Sequence, residues 1–226
     1  MLPTFVDTLP TEAQSALRAV TRTVRYARGN VIYRTEEPAE VSYALSTGRV
    51  RLYRIGASAR EITVAVHGAG EWFGLSALTP ARAYGMYAEA MEDCEAWAVP
   101  GTALRELQLR HPTLGVALSV TLSRQIQDLQ GRLGTLVFLE VSQRLALVLL
   151  DLAHHEGTEL DGGLRALKGR ISHQDLAHLV GSTRETITKL LGEFKARGLL
   201  DLGYRRIVII DEAGLQSAAK EPIHTA

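Results

Sequence analysis

The chain contains 226 residues, 46% of them hydrophobic and 22% charged, a composition typical of globular proteins that bury a sizeable core. Its 25 basic and 25 acidic residues cancel, so the total charge indicates neither a nucleic-acid nor a membrane partner, although a local basic patch is compatible with a neutral chain. The single cysteine, Cys94, excludes a disulfide framework and a cysteine-ligated zinc or iron–sulfur site. No stretch has the pattern of a signal sequence or a membrane span, and we expect a cytoplasmic protein without membrane contact.

The first part of the chain is predicted to contain one helix followed by many short strands. Residues 11–24, "TEAQSALRAVTRTV", form the predicted helix, which caps the strands. From residue 24 to residue 99, runs rich in β-branched and aromatic residues alternate with turn signals. Many short strands at close spacing favour a sandwich, a jelly roll or a barrel. The predicted strands are "NVIYR", "SYAL", "RVRLYRI", "EITVAV" and "CEAWAV".

A long helix is predicted to begin at Pro112, because residues recur along it at alternating spacings of three and four. This a/d pattern is typical of the seam of a two-stranded coiled coil, and it predicts a homodimer. The alternative is a helix that packs on its own domain. A second helix is predicted over about 142–155. The seam positions are Ser119, Leu122, Ile126, Leu129, Leu133 and Leu136.

Two capping signals predict a pair of short helices near residues 172 and 182. Ser172 is followed three residues later by Asp175, and Ser182 is followed three residues later by Glu185. In each pair the hydroxyl accepts a hydrogen bond from a free backbone N–H, so a helix is expected to begin one residue after each serine. Gly181 lies between the two helices and permits a tight turn. The spacing predicts a helix-turn-helix.

The second of these helices is predicted to read DNA. In a helix-turn-helix its N-terminal side chains reach base edges in the major groove. Arginine donates a fork to guanine, and a carboxylate accepts from cytosine. The alternative is an ordinary solvated helix face. The polar side of its first two turns consists of Arg184, Glu185, Thr188 and Lys189.

The surrounding sequence is locally basic, which favours the DNA-reading hypothesis. From residue 164 to residue 206, nine Lys and Arg residues stand against four Asp and Glu residues, an excess of five positive charges. Such a patch attracts phosphates. The stretch "GLLDLGYRRIVIID" that follows is predicted to be a hairpin turning at Gly203 and Tyr204. The basic residues are Arg165, Lys168, Arg170, Arg184, Lys189, Lys195, Arg197, Arg205 and Arg206.

Nearly the whole chain resembles the cyclic-AMP receptor protein/FNR family of bacterial transcription regulators. The resemblance is carried by "GEWFGLSAL", by a long helix ending in "FLEV", and above all by "ISHQDLAHLVGSTRETITKLLGEF". It implies an α+β fold in three parts: a β-roll (jelly-roll) sensor domain over 1–111, a dimerisation helix and hinge over 112–140, and a winged helix-turn-helix domain over 141–226.

The resemblance also implies which residues contact DNA. Arg184 and Glu185 would contact a G·C-containing half-site, and Lys189 a further guanine. A homodimer would bind palindromic promoter DNA, and an activator would also contact RNA polymerase. Thr188 and the two residues at the helix start, Ser182 and Thr183, complete the predicted surface. The expected contacts to the DNA backbone are Ser172, His173, Gln174 and Thr186.

The effector pocket departs from the family pattern. Members that bind cyclic AMP use a Gly-Glu pair, an Arg-Ser pair and a Thr-Ser pair, whereas here only the glycine, Gly74, is kept. Arg82 lies near enough in sequence to reach a phosphate. Because an unpaired buried phosphate is costly, we predict a regulator that requires no cofactor, with cyclic AMP as the alternative effector. The glutamate of the first pair aligns with Leu75, the Arg-Ser pair with Tyr84 and Gly85, and the Thr-Ser pair with Leu129 and Gln130.

Two further hypotheses are compatible with the sequence. The roll could hold a different small effector lined by Trp72, Arg82 and Tyr84. More distantly, it could be a cupin-like metal enzyme, although cupin chemistry needs several histidines and His67 is alone there, in a predicted surface turn. No metal site is predicted. Cys94 is predicted to be a small core residue, and residues 154–156, "HHE", a solvated helix end.

Overall fold

The computed structural model describes residues 6–56, 61–80, 82–160, 165–167, 171–203 and 206–220. The chain divides into two compact units, Met1–Gln130 and Gly131–Ala226. Within the described ranges, no helix is both long enough and apolar enough to cross a membrane.

The first unit is an antiparallel β-roll with helices at both ends of its sequence. One sheet has the strand order β1-β8-β3-β6 and the other β2-β7-β4-β5. All the strands predicted from the sequence are present. The elements in chain order are α1 (Thr11–Ala19), β1 (Arg22–Tyr26), β2 (Val31–Tyr33), β3 (Val41–Thr47), β4 (Val50–Ile55), β5 (Glu61–His67), β6 (Trp72–Phe73), β7 (Tyr87–Ala90), β8 (Cys94–Pro100), α2 (Gly101–Arg110) and α3 (Pro112–Phe138).

Two apolar cores lie on either side of the sheet that contains β6. Because successive side chains of a strand point to opposite faces, Phe73 joins the core between the two sheets, while Trp72 joins a second core formed with α1, α2 and the start of α3. Trp72 therefore lies outside the roll interior, and it is not among the residues that line the predicted effector pocket.

The predicted first helix is too long. It ends at Ala19, and Arg22–Tyr26 form strand β1, which pairs with β8 from Arg22↔Ala98 to Tyr26↔Cys94. The reason is local: Thr21, Thr23 and Val24 are β-branched residues, which are restricted at χ1 in a helix and pack well in a sheet.

His67 is also misplaced by the sequence prediction. It is the last residue of β5 and pairs with Val50, an inward-facing core residue. The side chain is therefore buried, with 5% of the residue exposed, and its ring stacks on Phe73 with centroids 6.3 Å apart. The predicted surface turn begins only at Gly68.

The second unit is a helix-turn-helix with a small antiparallel sheet of order β11-β12-β10-β9. Its core includes Leu145, Leu149, Leu176 and Phe194. The predicted hairpin is present, but Gly203 is the last paired residue rather than part of the turn, and Tyr204 lies outside the described residues. The elements are α4 (Val141–Glu156), β9 (Thr158–Glu159), β10 (Arg165–Ala166), α5 (His173–Val180), α6 (Arg184–Ala196), β11 (Leu200–Gly203), β12 (Arg206–Ile209) and α7 (Glu212–Lys220).

Candidate DNA-binding surface and effector pocket

Helix α5 begins where its capping signal predicts. The Ser172 hydroxyl accepts a hydrogen bond from the Asp175 N–H at 3.0 Å, and the Asp175 carboxylate accepts one from the Ser172 N–H at 2.9 Å. This reciprocal capping box satisfies two backbone donors at the start of the helix. It fixes the end of α5 that carries the predicted backbone contacts His173 and Gln174.

The cap of α6 lies one residue later than predicted. Gly181 ends α5 in the left-handed conformation, with φ 71°, and the Ser182 N–H donates to the Ala177 carbonyl at 2.9 Å. This bond completes the Schellman motif that closes α5, so Ser182 is buried, with 7% exposed. Thr183 is the N-cap instead, and its hydroxyl accepts from the Thr186 N–H at 3.2 Å.

Helix α6 separates its apolar and polar side chains cleanly. Ile187, Leu191 and Phe194 are fully buried in the core of the unit. The side chains that the sequence assigns to base reading are all exposed on the other face, and the structure thus brings them together on one surface. They are Arg184, Glu185, Thr188 and Lys189.

The cations on this surface differ in their partners. Lys189 lies 3.6 Å from the Glu193 carboxylate. Within the described part of the second unit, Arg184 has no ion-pair partner, so its guanidinium is available to donate to a ligand. Of the predicted basic patch, Lys168, Arg170 and Arg205 lie outside the described residues.

A salt bridge joins the end of α6 to the strand that follows it. Lys195 lies 2.9 Å from the Asp201 carboxylate, which is exposed. The hydrogen bond from Lys195 lowers the pKa of Asp201 below its usual value, and the Leu202 N–H and the Lys195 charge contribute further. The lowered pKa keeps Asp201 ionised at a lower pH than an ordinary aspartate.

Thr188 makes two hydrogen bonds, one of which joins the two helices of the motif. Its hydroxyl lies 2.8 Å from Nδ1 of His173 and donates to the Arg184 carbonyl at 2.8 Å. A second residue, Arg144 of α4, was not anticipated from the sequence. It donates to the carbonyls of Val180 and Leu139, at 2.9 and 2.8 Å, and so ties α4 to the end of α5.

The interior of the roll is filled by aromatic rings. Tyr84 stacks on Tyr33 with centroids 3.7 Å apart and planes inclined by 9°. Tyr43 stacks on Phe73 at 5.0 Å and lies 6.1 Å from Tyr33. Tyr33, Tyr43 and Phe73 were not identified from the sequence as pocket residues. The available signal was the placement of six of the seven tyrosines between residues 26 and 87.

Hydrogen bonds hold these tyrosines in place. The Tyr84 hydroxyl donates to the Val41 carbonyl at 2.7 Å and accepts from the Val41 N–H at 3.2 Å. Tyr43 also lies edge to face with Tyr26, with ring centroids 6.5 Å apart. Burial raises the pKa of Tyr33, Tyr43 and Tyr84 above the usual tyrosine value, so all three hydroxyls are neutral at physiological pH.

Gly74 has a packing requirement in this pocket. It adopts φ 68°, and a Cβ at this position would lie 3.2 Å from the Val41 carbonyl oxygen and 3.3 Å from Tyr84. Leu75, by contrast, packs against the second core. The structure therefore brings Gly74 and Tyr84 together. The other predicted pocket residues, Arg82, Gly85, Leu129 and Gln130, are exposed.

The remaining candidates for special chemistry lie in ordinary surroundings. Cys94 is buried in the roll, as predicted, and burial raises the pKa of its thiol. The described part of the chain contains no group of three His, Cys, Asp or Glu side chains placed to hold a metal ion. His154 is exposed, whereas the side chains of His155 and Glu156 lie outside the described set.

Helix α3 carries an apolar stripe on its exposed surface. Ile126 is 56% exposed and Leu133 is 53% exposed, although leucine and isoleucine are among the residues most often buried. The other members of the stripe, Leu122, Leu129 and Leu136, are exposed as well, and so is the polar seam residue Ser119.

Comparison with known proteins agrees with this architecture. Residues 23–111 match the model of the cyclic nucleotide-binding domain, and residues 143–218 match that of the Crp-like helix-turn-helix domain. A cyclic AMP receptor protein of Thermus thermophilus is 30% identical over 217 residues, covering 96% of each chain. A global nitrogen regulator of Synechococcus elongatus is 32% identical over 193 residues, covering 84% of this chain and 86% of that protein.

The solved structure of a CRP-family transcriptional regulator from Thermus thermophilus also matches, with a TM-score of 0.75 and 29% identity. The match covers 90% of this chain and all of the other, 100%. Since full-length relatives share both domains and the order in which they occur, the chain belongs to the CRP/FNR family and is a DNA-binding transcription regulator.

Proposed function

We propose that the protein binds palindromic promoter DNA as a homodimer, with one copy of α6 in each half-site. The observation that carries this proposal is the exposed polar face of α6, where the Arg184 guanidinium has no ion-pair partner among the described residues. The parts of the chain would be a sensor roll over 1–111, a dimerisation helix and hinge over 112–140, and a DNA-binding domain over 141–226.

The exposed side chains of α6 match the chemistry of base edges. The Arg184 guanidinium can donate two hydrogen bonds to O6 and N7 of a guanine, and the Glu185 carboxylate can accept from N4 of a cytosine. Lys189 would contact a further guanine once it leaves Glu193. Because Ser182 is buried, Thr183 is the better contact at the start of α6. The residues proposed to contact phosphates are Ser172, His173, Gln174 and Thr186.

The exposed stripe of α3 supports the dimer. Its a/d spacing fits a parallel pair of helices, in which each apolar residue inserts between residues of the partner. Two-fold symmetry then places two recognition helices about one DNA turn apart and accounts for a palindromic site. Family resemblance adds a contact with RNA polymerase, which run-off transcription from a bound promoter would test.

Arg184→Ala tests the reading role of α6. We expect it to weaken specific binding by about 1–3 kcal/mol and to relax the preference at one base pair, because a bidentate guanine contact is lost. Fluorescence anisotropy on a palindrome selected by the wild-type protein, and on its single-base variants, measures both effects. The control, Arg197→Ala at the other end of α6, keeps the base preference. Equal affinity of Arg184→Ala and wild type would contradict the assignment.

We further propose that DNA binding needs no small effector in the roll. The stacked Tyr33 and Tyr84 rings occupy the interior next to Gly74, and Arg82 is exposed rather than turned inward. A cyclic phosphate placed there would be buried with no cationic partner among the described residues of the predicted pocket, which costs several kcal/mol. The residues present therefore do not fit cyclic AMP.

We expect cyclic AMP to change neither the DNA affinity nor the melting temperature of the wild-type protein. A ligand stabilises a fold only in proportion to its occupancy of the native state. Differential scanning fluorimetry and anisotropy with excess cyclic AMP measure this directly. An increase in either quantity would favour the alternative function, the same DNA reader controlled by a cyclic nucleotide, which the match to the cyclic nucleotide-binding domain supports.

A further inference from the structure

The geometry around His173 points to a proton-linked contact with DNA. We propose that His173 contacts a phosphate only when its imidazole is protonated, so that DNA binding takes up a proton and strengthens as the pH falls. The inference rests on the proposed binding of DNA across α5 and α6.

The hydrogen bonds of Thr188 determine which nitrogen of His173 carries the proton in the neutral ring. A threonine hydroxyl has one proton to donate, and Thr188 donates it to the Arg184 carbonyl at 2.8 Å. The oxygen must therefore accept from Nδ1 of His173, which lies 2.8 Å away. The neutral imidazole is consequently the Nδ1–H tautomer, and Nε2, on the opposite side of the ring, carries a lone pair.

This tautomer cannot bind a phosphate through Nε2. Phosphate oxygens only accept hydrogen bonds, and a bare ring nitrogen only accepts them as well. A second proton turns Nε2 into a charged donor, which forms the stronger type of hydrogen bond with an anion. The bond from Nδ1 to Thr188 survives protonation, because both ring nitrogens of a histidinium are donors.

His173 lies on the proposed reading surface. It is the first residue of α5, it is partly exposed, and its ring is attached to Thr188 on the same face of α6 as Arg184 and Glu185. A phosphate placed beside the ring would favour the protonated imidazole, because opposite charges attract.

Other charged and titratable groups lie on the helices that pack together here. Asp175 accepts from the Ser172 N–H at 2.9 Å, and His178 lies 2.6 Å from Gln174 through its Nε2. The polar face of α6 contributes Arg184, Glu185 and Lys189, and Lys189 is paired with Glu193 at 3.6 Å; the cations and the anion oppose each other in their effect on an imidazolium. Helix α4, which packs against α5, contributes Arg144, Asp151 and His154.

The experiment compares the full-length wild type with His173→Gln on the palindrome that the wild type selects from random duplex DNA. We expect wild-type affinity to be greater near pH 6 than near pH 8, by on the order of tenfold, and His173→Gln to lose this difference. Near pH 6 the wild-type dependence of log K on log salt becomes steeper by roughly 0.9 for each additional phosphate that the protein neutralises. A change limited to folding would not alter this slope.

Matched variants complete the test. His178→Gln changes a histidine on the same helix and keeps the pH dependence. Thr188→Ser retains the hydroxyl that accepts from His173 and is expected to keep the pH dependence of DNA affinity. Thr188→Val lacks this hydroxyl and is expected to weaken the pH dependence. Identical pH and salt dependence in wild type and His173→Gln overturns the inference while leaving DNA binding intact. Failure of the wild type to select any duplex contradicts the proposed function instead.

Discussion

Replacing Ile126 and Leu129 together with lysine is expected to convert the dimer into monomers and to lower the affinity for the palindrome at least about 100-fold. Both residues lie on the exposed apolar stripe of α3. Lysines at adjacent a and d positions place four like charges in the seam of a dimer, where they would be desolvated and unpaired. The two DNA-binding domains would then bind independently, and the avidity that results from linking them would be lost.

Sedimentation velocity measures the change in mass, and anisotropy on a full palindrome and on a single half-site measures the change in affinity. Half-site affinity is expected to stay the same. The matched control, Gln127→Lys with Asp128→Lys, adds three units of positive charge per chain, one more than the test variant, at positions b and c of the same turn and preserves the dimer. The prediction that the α3 stripe forms the dimer interface would be contradicted by a wild-type protein that is already monomeric, or by an Ile126/Leu129 variant that stays dimeric.

Tyr84→Ala is expected to destabilise the roll by about 3–5 kcal/mol, the range for deleting a buried aromatic ring. The substitution removes the stack on Tyr33 and leaves the Val41 N–H and carbonyl without their hydroxyl partner. Tyr84→Phe keeps the ring but removes the hydroxyl, and it is expected to lower the free energy of unfolding by only about 0.5–1.5 kcal/mol. Urea unfolding monitored by tyrosine and tryptophan fluorescence compares the variants.

The cavity left by Tyr84→Ala has the shape of a phenol ring, and engineered apolar cavities bind small aromatic molecules. We expect 4-methylphenol to raise the melting temperature of this variant and to leave that of the wild type unchanged. Tyr87→Ala is the control, since Tyr87 stacks on Tyr53 at 5.1 Å and is only partly buried. If Tyr84→Ala lowers the free energy of unfolding by less than about 1 kcal/mol, the Tyr33–Tyr84 stack does not fill the roll interior.

Local sequence signals predicted the DNA-binding half of the site well. The Ser172–Asp175 capping box depends on residues three apart, and Gly181 ends α5 through its own backbone conformation. Five of the eight described strands of the roll (β2, β3, β4, β5 and β8) were likewise recognisable from β-branched and aromatic runs and from turn residues. The two-residue strands β6, β9 and β10 were missed, because so short a segment shows no periodicity, and β7, α2 and α7 were missed as well.

Two of the differences between prediction and structure arise where another backbone contact competes with the local signal. Ser182 has the right spacing for a cap, but its N–H donates to Ala177 in closing the preceding helix. His67 stands next to a turn glycine, Gly68, but its pairing with Val50 on the neighbouring strand turns it inward.

Short-range signals in the chain predicted a first domain of many short strands and a helix-turn-helix whose second helix presents Arg184 and Glu185 outward. Those features follow from capping, periodicity and turn chemistry, which act over a few residues. What fills the roll and how the recognition helix is held became known only from the folded arrangement. Tyr33 meets Tyr84, and His173 meets Thr188, because strands and helices distant in the chain pack together, and no local pattern records which of their side chains come into contact.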